Sequence, residues 1–162
     1  MNTLAKTPAL KLYRWTECMA ALFILLFVYT ASSKLMDLQR FRAVLDTSPL
    51  IGPYSKMVAL LIPLTELITA ALLVFPGTRK RGLVLSLILM VLFTLYLFYM
   101  ILFTSHLPCS CGGVIQALSW SQHLALNITL TAMAAWAVFL HKIFVATNRG
   151  NRKPAEESRY HL

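Results

Sequence analysis

Charge is what this chain has least of. Only 13% of its residues are Asp, Glu, Lys or Arg, about half the share usual in a soluble domain. Between Gly82 and His141 there is none at all. A soluble fold cannot keep so long a stretch in water, so a soluble enzyme or carrier is excluded. Acids are the scarcer sign, 6 against 15 Lys and Arg, which leaves a formal charge of +9. That excess would suit nucleic acid if it lined a soluble face. The basic residues instead flank apolar runs, where anionic lipid is the counter-charge, so nucleic acid is set aside as a partner. Cysteine is also rare, with three in the chain, and neither an internal repeat nor a low-complexity tract is present.

What fills the chain is apolar: 58% hydrophobic residues and a mean hydropathy of +0.68. The apolar runs approach the ~20 residues that cross a bilayer as a helix. Residues 1–14, with Lys6, Lys11 and Arg14 and no acid, form a polar lead. The first span is expected over 15–35. A basic lead and apolar core also fit a secretory signal peptide, but no Ala-x-Ala-type site follows, so a retained span is expected. Between Lys34 and Ser55, charged Asp37, Arg40, Arg42 and Asp46 alternate with Leu38, Phe41, Val44 and Leu45 at helical spacing. That pattern predicts a short amphipathic helix on the membrane surface, ended by Pro49, Gly52 and Pro53.

The second span is expected over 56–75, with Pro63 tolerated inside it and Pro76-Gly77 as its stop. A short basic turn, Thr78 to Arg81, leads to a third span over 82–104. A polar loop covers 105–118, and Ser119 with Gln122 has the capping-box form that opens a fourth span over 119–146. Residues 147–162 read as a basic, mobile tail. The expected fold is an all-α, up-down bundle of four transmembrane helices. Arg79-Lys80-Arg81, the basic lead, and Lys142, Arg149, Arg152, Lys153 and Arg159 share one side; Lys34, Arg40, Arg42 and Lys56 fall on the other. Three clusters against one put both termini in the cytoplasm and the 105–118 loop outside.

That loop holds Cys109-Ser110-Cys111-Gly112-Gly113. If it faces the periplasm, disulfides form and persist there. A turn brings residues i and i+2 within the ~4.4–6.8 Å that a disulfide needs, and the glycines supply backbone freedom. So small a ring is a poor staple but exchanges readily, which makes Cys109 and Cys111 a candidate redox pair. A local clip without turnover, a metal site of His106, Cys109, Cys111 and His123, and two unreactive thiols are the rival readings. Cys18 lies ~30 Å away near the inner end of the first span and reads as a small packing residue.

Glu66 is the second oddity. At ~1.5 Å per residue it lies roughly 16 Å below Ser55, and Asn127 lies roughly 12 Å below the same surface. Matching depths predict a hydrogen bond between these two, with Lys34 as a second partner for Glu66. Interhelical glue is the rival to a functional role. Trp120, His123 and Asn127 share one face of the fourth helix beneath the loop. His123 titrates near neutrality and suits deprotonation of a loop thiol or contact with a bound quinone.

These residues resemble the MauE-type (methylamine utilisation protein E) branch of the DoxX-like membrane proteins. The resemblance rests on Lys34-Leu35-Met36-Asp37 with Phe41, on Pro63-Leu64-Thr65-Glu66-Leu67, on the cysteine-glycine loop, and on Ser119-Trp120 through His123 and Asn127. It implies a four-helix protein of the bacterial inner membrane, associated with periplasmic redox or disulfide chemistry. In the methylamine system such a protein looks to be needed for making a disulfide-rich dehydrogenase subunit. The functional expectation is a membrane thiol–disulfide partner. Cys109 and Cys111 exchange with a thioredoxin-like protein or an exported client, and His123 serves as the third catalytic group. Glu66, Asn127, Trp120 and Lys34 are the candidates for holding a cofactor; a quinone is suggested by analogy with other four-helix disulfide enzymes, and no dedicated metal site is assigned. The competing expectation is a non-catalytic assembly or carrier subunit whose loop binds a partner or metal.

Overall fold

The computed structural model describes residues 6–48, 50–103 and 119–157, with side chains over 12–48, 50–103, 119 and 121–146. Among these residues the chain is helical and turn, with no strand. Helix α1 covers Lys6–Met36, α2 Leu38–Asp46, α3 Ser55–Val74, α4 Arg79–Phe103 and α5 Trp120–Glu157, with a 3-10 turn over Gly52–Tyr54 before α3. Four segments are long and apolar enough to cross a membrane: Leu12–Met36, Gly52–Val74, Arg79–Phe103 and Ser121–Ala146. The chain therefore folds as an all-α, multi-pass membrane protein.

The helix ends follow from local chemistry. Asp37 caps α2 by accepting from the Arg40 N–H at 3.3 Å. At α5 the capping box closes both ways: Ser119 N–H donates to Gln122 Oε1 at 2.9 Å, and Gln122 N–H donates to Ser119 Oγ at 3.3 Å. In α3 Pro63 has no N–H to donate, yet the helix continues through it, because the membrane interior offers the backbone no better partner. The helical conformation of α5 carries past the apolar segment as far as Glu157, into residues expected to form a mobile tail.

The four long helices form a ring in the order α1, α3, α4, α5. α1 packs on α3 and α5, and α4 packs on α3 and α5, while α3 and α5 stand diagonally opposite. Small residues at the seams, Ala20, Ala31, Ala59, Ala70, Ala134 and Ala137, are buried and let the backbones approach. Phe23, Phe27, Leu73 and Leu83 fill the centre. The tightest approach is at the α3–α4 turn, where a Cβ on Gly82 would come within 2.9 Å of the Leu73 backbone nitrogen and 3.0 Å of the Leu72 carbonyl carbon. We call this the basic end; α2, the Gly52–Tyr54 turn and the start of α5 mark the opposite, connector end.

Helix α2 behaves as its pattern predicts. It buries Leu45 and packs on α3, and its last residue, Asp46, accepts a hydrogen bond from the Ser55 hydroxyl that opens α3. The expectation for Cys18 is overturned. Its side chain is exposed on the bundle's outer surface rather than packed between helices, because the α1 seam runs through Thr16, Ala20 and Phe23 instead.

Candidate functional site

A polar layer crosses the bundle toward its connector end. Lys34, in the last turn of α1, extends its ammonium to the α3 carboxylate and donates to Glu66 Oε1 at 2.5 Å. The Glu66 side chain is 1% exposed and that of Lys34 21%. Two rings flank the ammonium: Phe93 of α4 with its centroid at 5.4 Å, and Phe41 of α2 at 5.8 Å. Each lies close enough to stabilise a cation that is only partly exposed. The second carboxylate oxygen, Glu66 Oε2, is fully buried and has no hydrogen-bond partner among the described residues. Thr30 of α1 faces the same carboxyl but donates its proton to the Phe27 carbonyl at 3.3 Å.

The layer continues on α4 and α5. The Thr94 and Thr131 hydroxyls lie 3.0 Å apart across the α4–α5 seam, and Thr131 donates to the Asn127 carbonyl at 2.7 Å. Asn127 is 7% exposed, and its Nδ2 donates to the His123 carbonyl one turn earlier at 3.1 Å. His123 is partly buried and lies within electrostatic reach of the Lys34 ammonium.

This geometry corrects one expectation. The predicted Glu66–Asn127 hydrogen bond is replaced by two separate ones: Glu66 pairs with Lys34, and Asn127 bonds within its own helix. The helices that carry the two residues are diagonal in the ring, whereas α1 is the immediate neighbour of α3. Phe93, Thr30 and the Thr94–Thr131 contact were not picked out from the sequence. Thr94 and Ser86 are the two aliphatic hydroxyls in the apolar stretch of α4, and that was the available signal. Trp120 opens α5, but its side chain lies outside the described residues. His106, Cys109 and Cys111, and with them both the redox pair and the His/Cys metal alternative, also lie outside.

The fold and this layer define a class: a four-span helical membrane protein with a buried ion pair in one half of its bundle. The family profile described as methylamine utilisation protein MauE matches residues 11–140, and the chain belongs to that family. No curated protein and no solved structure matches it.

Proposed function

We propose that this MauE-family protein takes part in thiol–disulfide exchange through Cys109 and Cys111 at the periplasmic face of the bacterial inner membrane. The carrying observation is the polar layer, with Lys34, Glu66, His123 and Asn127 gathered toward the end of the bundle where α4 stops and α5 begins. Cys109 and Cys111 belong to the segment that joins those two helix ends. The distribution of basic clusters supports a cytoplasmic basic end and hence a periplasmic connector end.

The chemistry balances as follows. A thiolate of a thioredoxin-like partner or an exported client attacks one sulfur of the Cys109–Cys111 disulfide. The S–S bond breaks, a mixed disulfide forms, and the other cysteine leaves as a thiolate that takes a proton. A second client thiolate then attacks the mixed disulfide, so the client loses two electrons and the pair is left as two thiols. Run in reverse, the same steps reduce a client. His123, at the start of α5, is the group suited to exchanging a proton with a loop thiol.

Resetting the pair needs a carrier of two electrons and two protons, the chemistry that a quinone supplies when bound. The residues fit such a headgroup in one respect: the Lys34 ammonium is a donor and the partnerless Glu66 Oε2 an acceptor, side by side. Asn127 and Trp120 complete the set that would hold it.

Cys109→Ser and Cys111→Ser, expressed in cells and resolved on non-reducing gels, test the reading. One variant is expected to accumulate mixed disulfides and the other to lose them, with both still inserted. Full exchange in either variant removes the redox role. Labelling of the two thiols that responds to chelator and not to reductant would instead mark the non-catalytic, metal- or partner-binding subunit.

A further inference from the structure

We infer that Glu66 is an intramembrane proton-binding site served from the connector face, with Lys34 as the side chain that closes it. Three observations carry this, and none requires a thiol or a quinone. Glu66 Oε2 is buried and accepts no hydrogen bond in this arrangement, in which the neighbouring Thr30 hydroxyl donates to the Phe27 carbonyl instead. The cation that neutralises the carboxylate comes from the last turn of its helix and is not itself fully buried, at 21% against 1% exposure. The ring over the outer side of that cation, Phe41, is carried by α2, a short amphipathic helix distinct from the four spans.

The charge count explains why the site has two arrangements. With the pair closed, a carboxylate and an ammonium lie together and the buried net charge is zero. One proton from the connector-side water, added to Oε2, makes the carboxyl neutral. The ammonium then has no counter-charge, and its flexible four-carbon stem takes it out past Phe41 to the membrane surface. The buried net charge is zero again. Loss of the proton draws Lys34 back. An intermediate state with one uncompensated buried charge is costly, so proton binding and lysine movement go together.

The surrounding groups allow this. From α1 only Lys34 and Thr30 act on the carboxyl. α4 has no charged residue from Gly82 to Phe103. On α2, Asp37, Arg40 and Asp46 are exposed, and Arg42 sits 3.9 Å from Asp46. On α5, His123 lies within electrostatic reach of Lys34. Lys34 is thus the only cation that acts on Glu66 among the described residues.

The test uses the full chain in membrane vesicles with a membrane-impermeant amine-acetylating reagent on the connector side. Lys56, exposed at the start of α3 on the same face, is the internal reference. Glu66→Gln is a permanent analogue of the protonated carboxyl. The Lys34-to-Lys56 acetylation ratio, read by peptide mass spectrometry, is expected to rise several-fold in E66Q over the unsubstituted protein at one pH. An unchanged ratio overturns the proposal. Should E66Q not assemble, the unsubstituted protein decides. Its ratio, in which the general loss of amine reactivity cancels, is expected to rise as the external pH falls, and a flat ratio overturns the proposal. Exchange-inactive Cys109→Ser protein is expected to give the same result, so failure of the thiol reading and failure of this one are separable.

Discussion

Among the described residues two ion pairs tie α1 to another helix, one near each end, and they are built alike. Lys34 meets Glu66 of α3 at 2.5 Å, and Glu17 meets Arg79 of α4 at 3.0 Å. Both cations sit against aromatic rings, Lys34 against Phe41 and Phe93 and Arg79 against Tyr13 at 6.0 Å. Burial separates them. The Glu66 side chain is sealed in the bundle, whereas that of Glu17 is 42% exposed. A pair that water or headgroups can reach contributes little to stability, while removing one partner of a sealed pair strands a charge. The basic end is held by something else: the backbone approach at Gly82 and the Thr78 hydroxyl, which donates to the Leu72 carbonyl at 2.8 Å.

The largest expected effect breaks the sealed pair. Lys34→Met leaves Glu66 either an uncompensated carboxylate or forced to bind a proton, at a cost of up to about 3–5 kcal/mol where one partner of a buried pair is lost. Unfolding of the detergent-solubilised protein by heat or by SDS titration reads it. The double variant Lys34→Met/Glu66→Leu is expected to recover most of the loss, because no charge is left behind. A double variant as unstable as the single one would show that packing by the lysine stem, and not charge pairing, is what matters at this end.

The next effect belongs to the basic end and comes from backbone. Gly82→Ala places a methyl group within 2.9 Å of the Leu73 nitrogen and Cδ2 and 3.0 Å from the Leu72 carbonyl carbon. Only Leu73 Cδ2 can rotate away, so α3 and α4 must separate, at about 1–3 kcal/mol for overpacking of this kind. A lowered unfolding midpoint is expected, with the Lys34–Glu66 pair untouched. An unchanged midpoint would mean that the turn yields without cost and that the comparison with the sealed pair is drawn too sharply.

Axial position was legible in the sequence, and azimuth was not. The four spans, the Ser119–Gln122 box and the amphipathic α2 all follow from local pattern and from counting residues along a helix of known rise. Which face of each helix meets which neighbour does not, because apolar residues surround these helices on all sides and lipid tails are as apolar as the core. Asn127 was therefore matched to Glu66 by depth alone, and the ring order of helices placed Lys34 there instead. Cys18 was read as a small packing residue and is exposed instead. Glu17 and Arg79 were legible only as opposite charges at one end, since nothing local links residues so far apart in the chain. The fold could thus be read nearly whole, while the site's pairing needed the packing.

The smallest expected effect is the most pointed test of the comparison. Glu17→Gln removes a charge but keeps the size of the side chain and an oxygen that accepts from Arg79. Arg79 retains its other anchors, the Tyr13 ring and the Leu73 carbonyl, to which Nε donates at 3.5 Å. The unfolding midpoint should then coincide with that of the unsubstituted protein. Raising the salt concentration should move neither one, because a partly exposed pair that contributes little leaves little for salt to remove. Suppose instead that E17Q lowers the midpoint as far as G82A does, while salt still moves neither protein, because a pair shut off from water is screened little. The bilayer or detergent would then exclude water from the basic end as well. Burial measured on the isolated chain would understate how sealed that pair is, and the two ends would differ in degree rather than in kind.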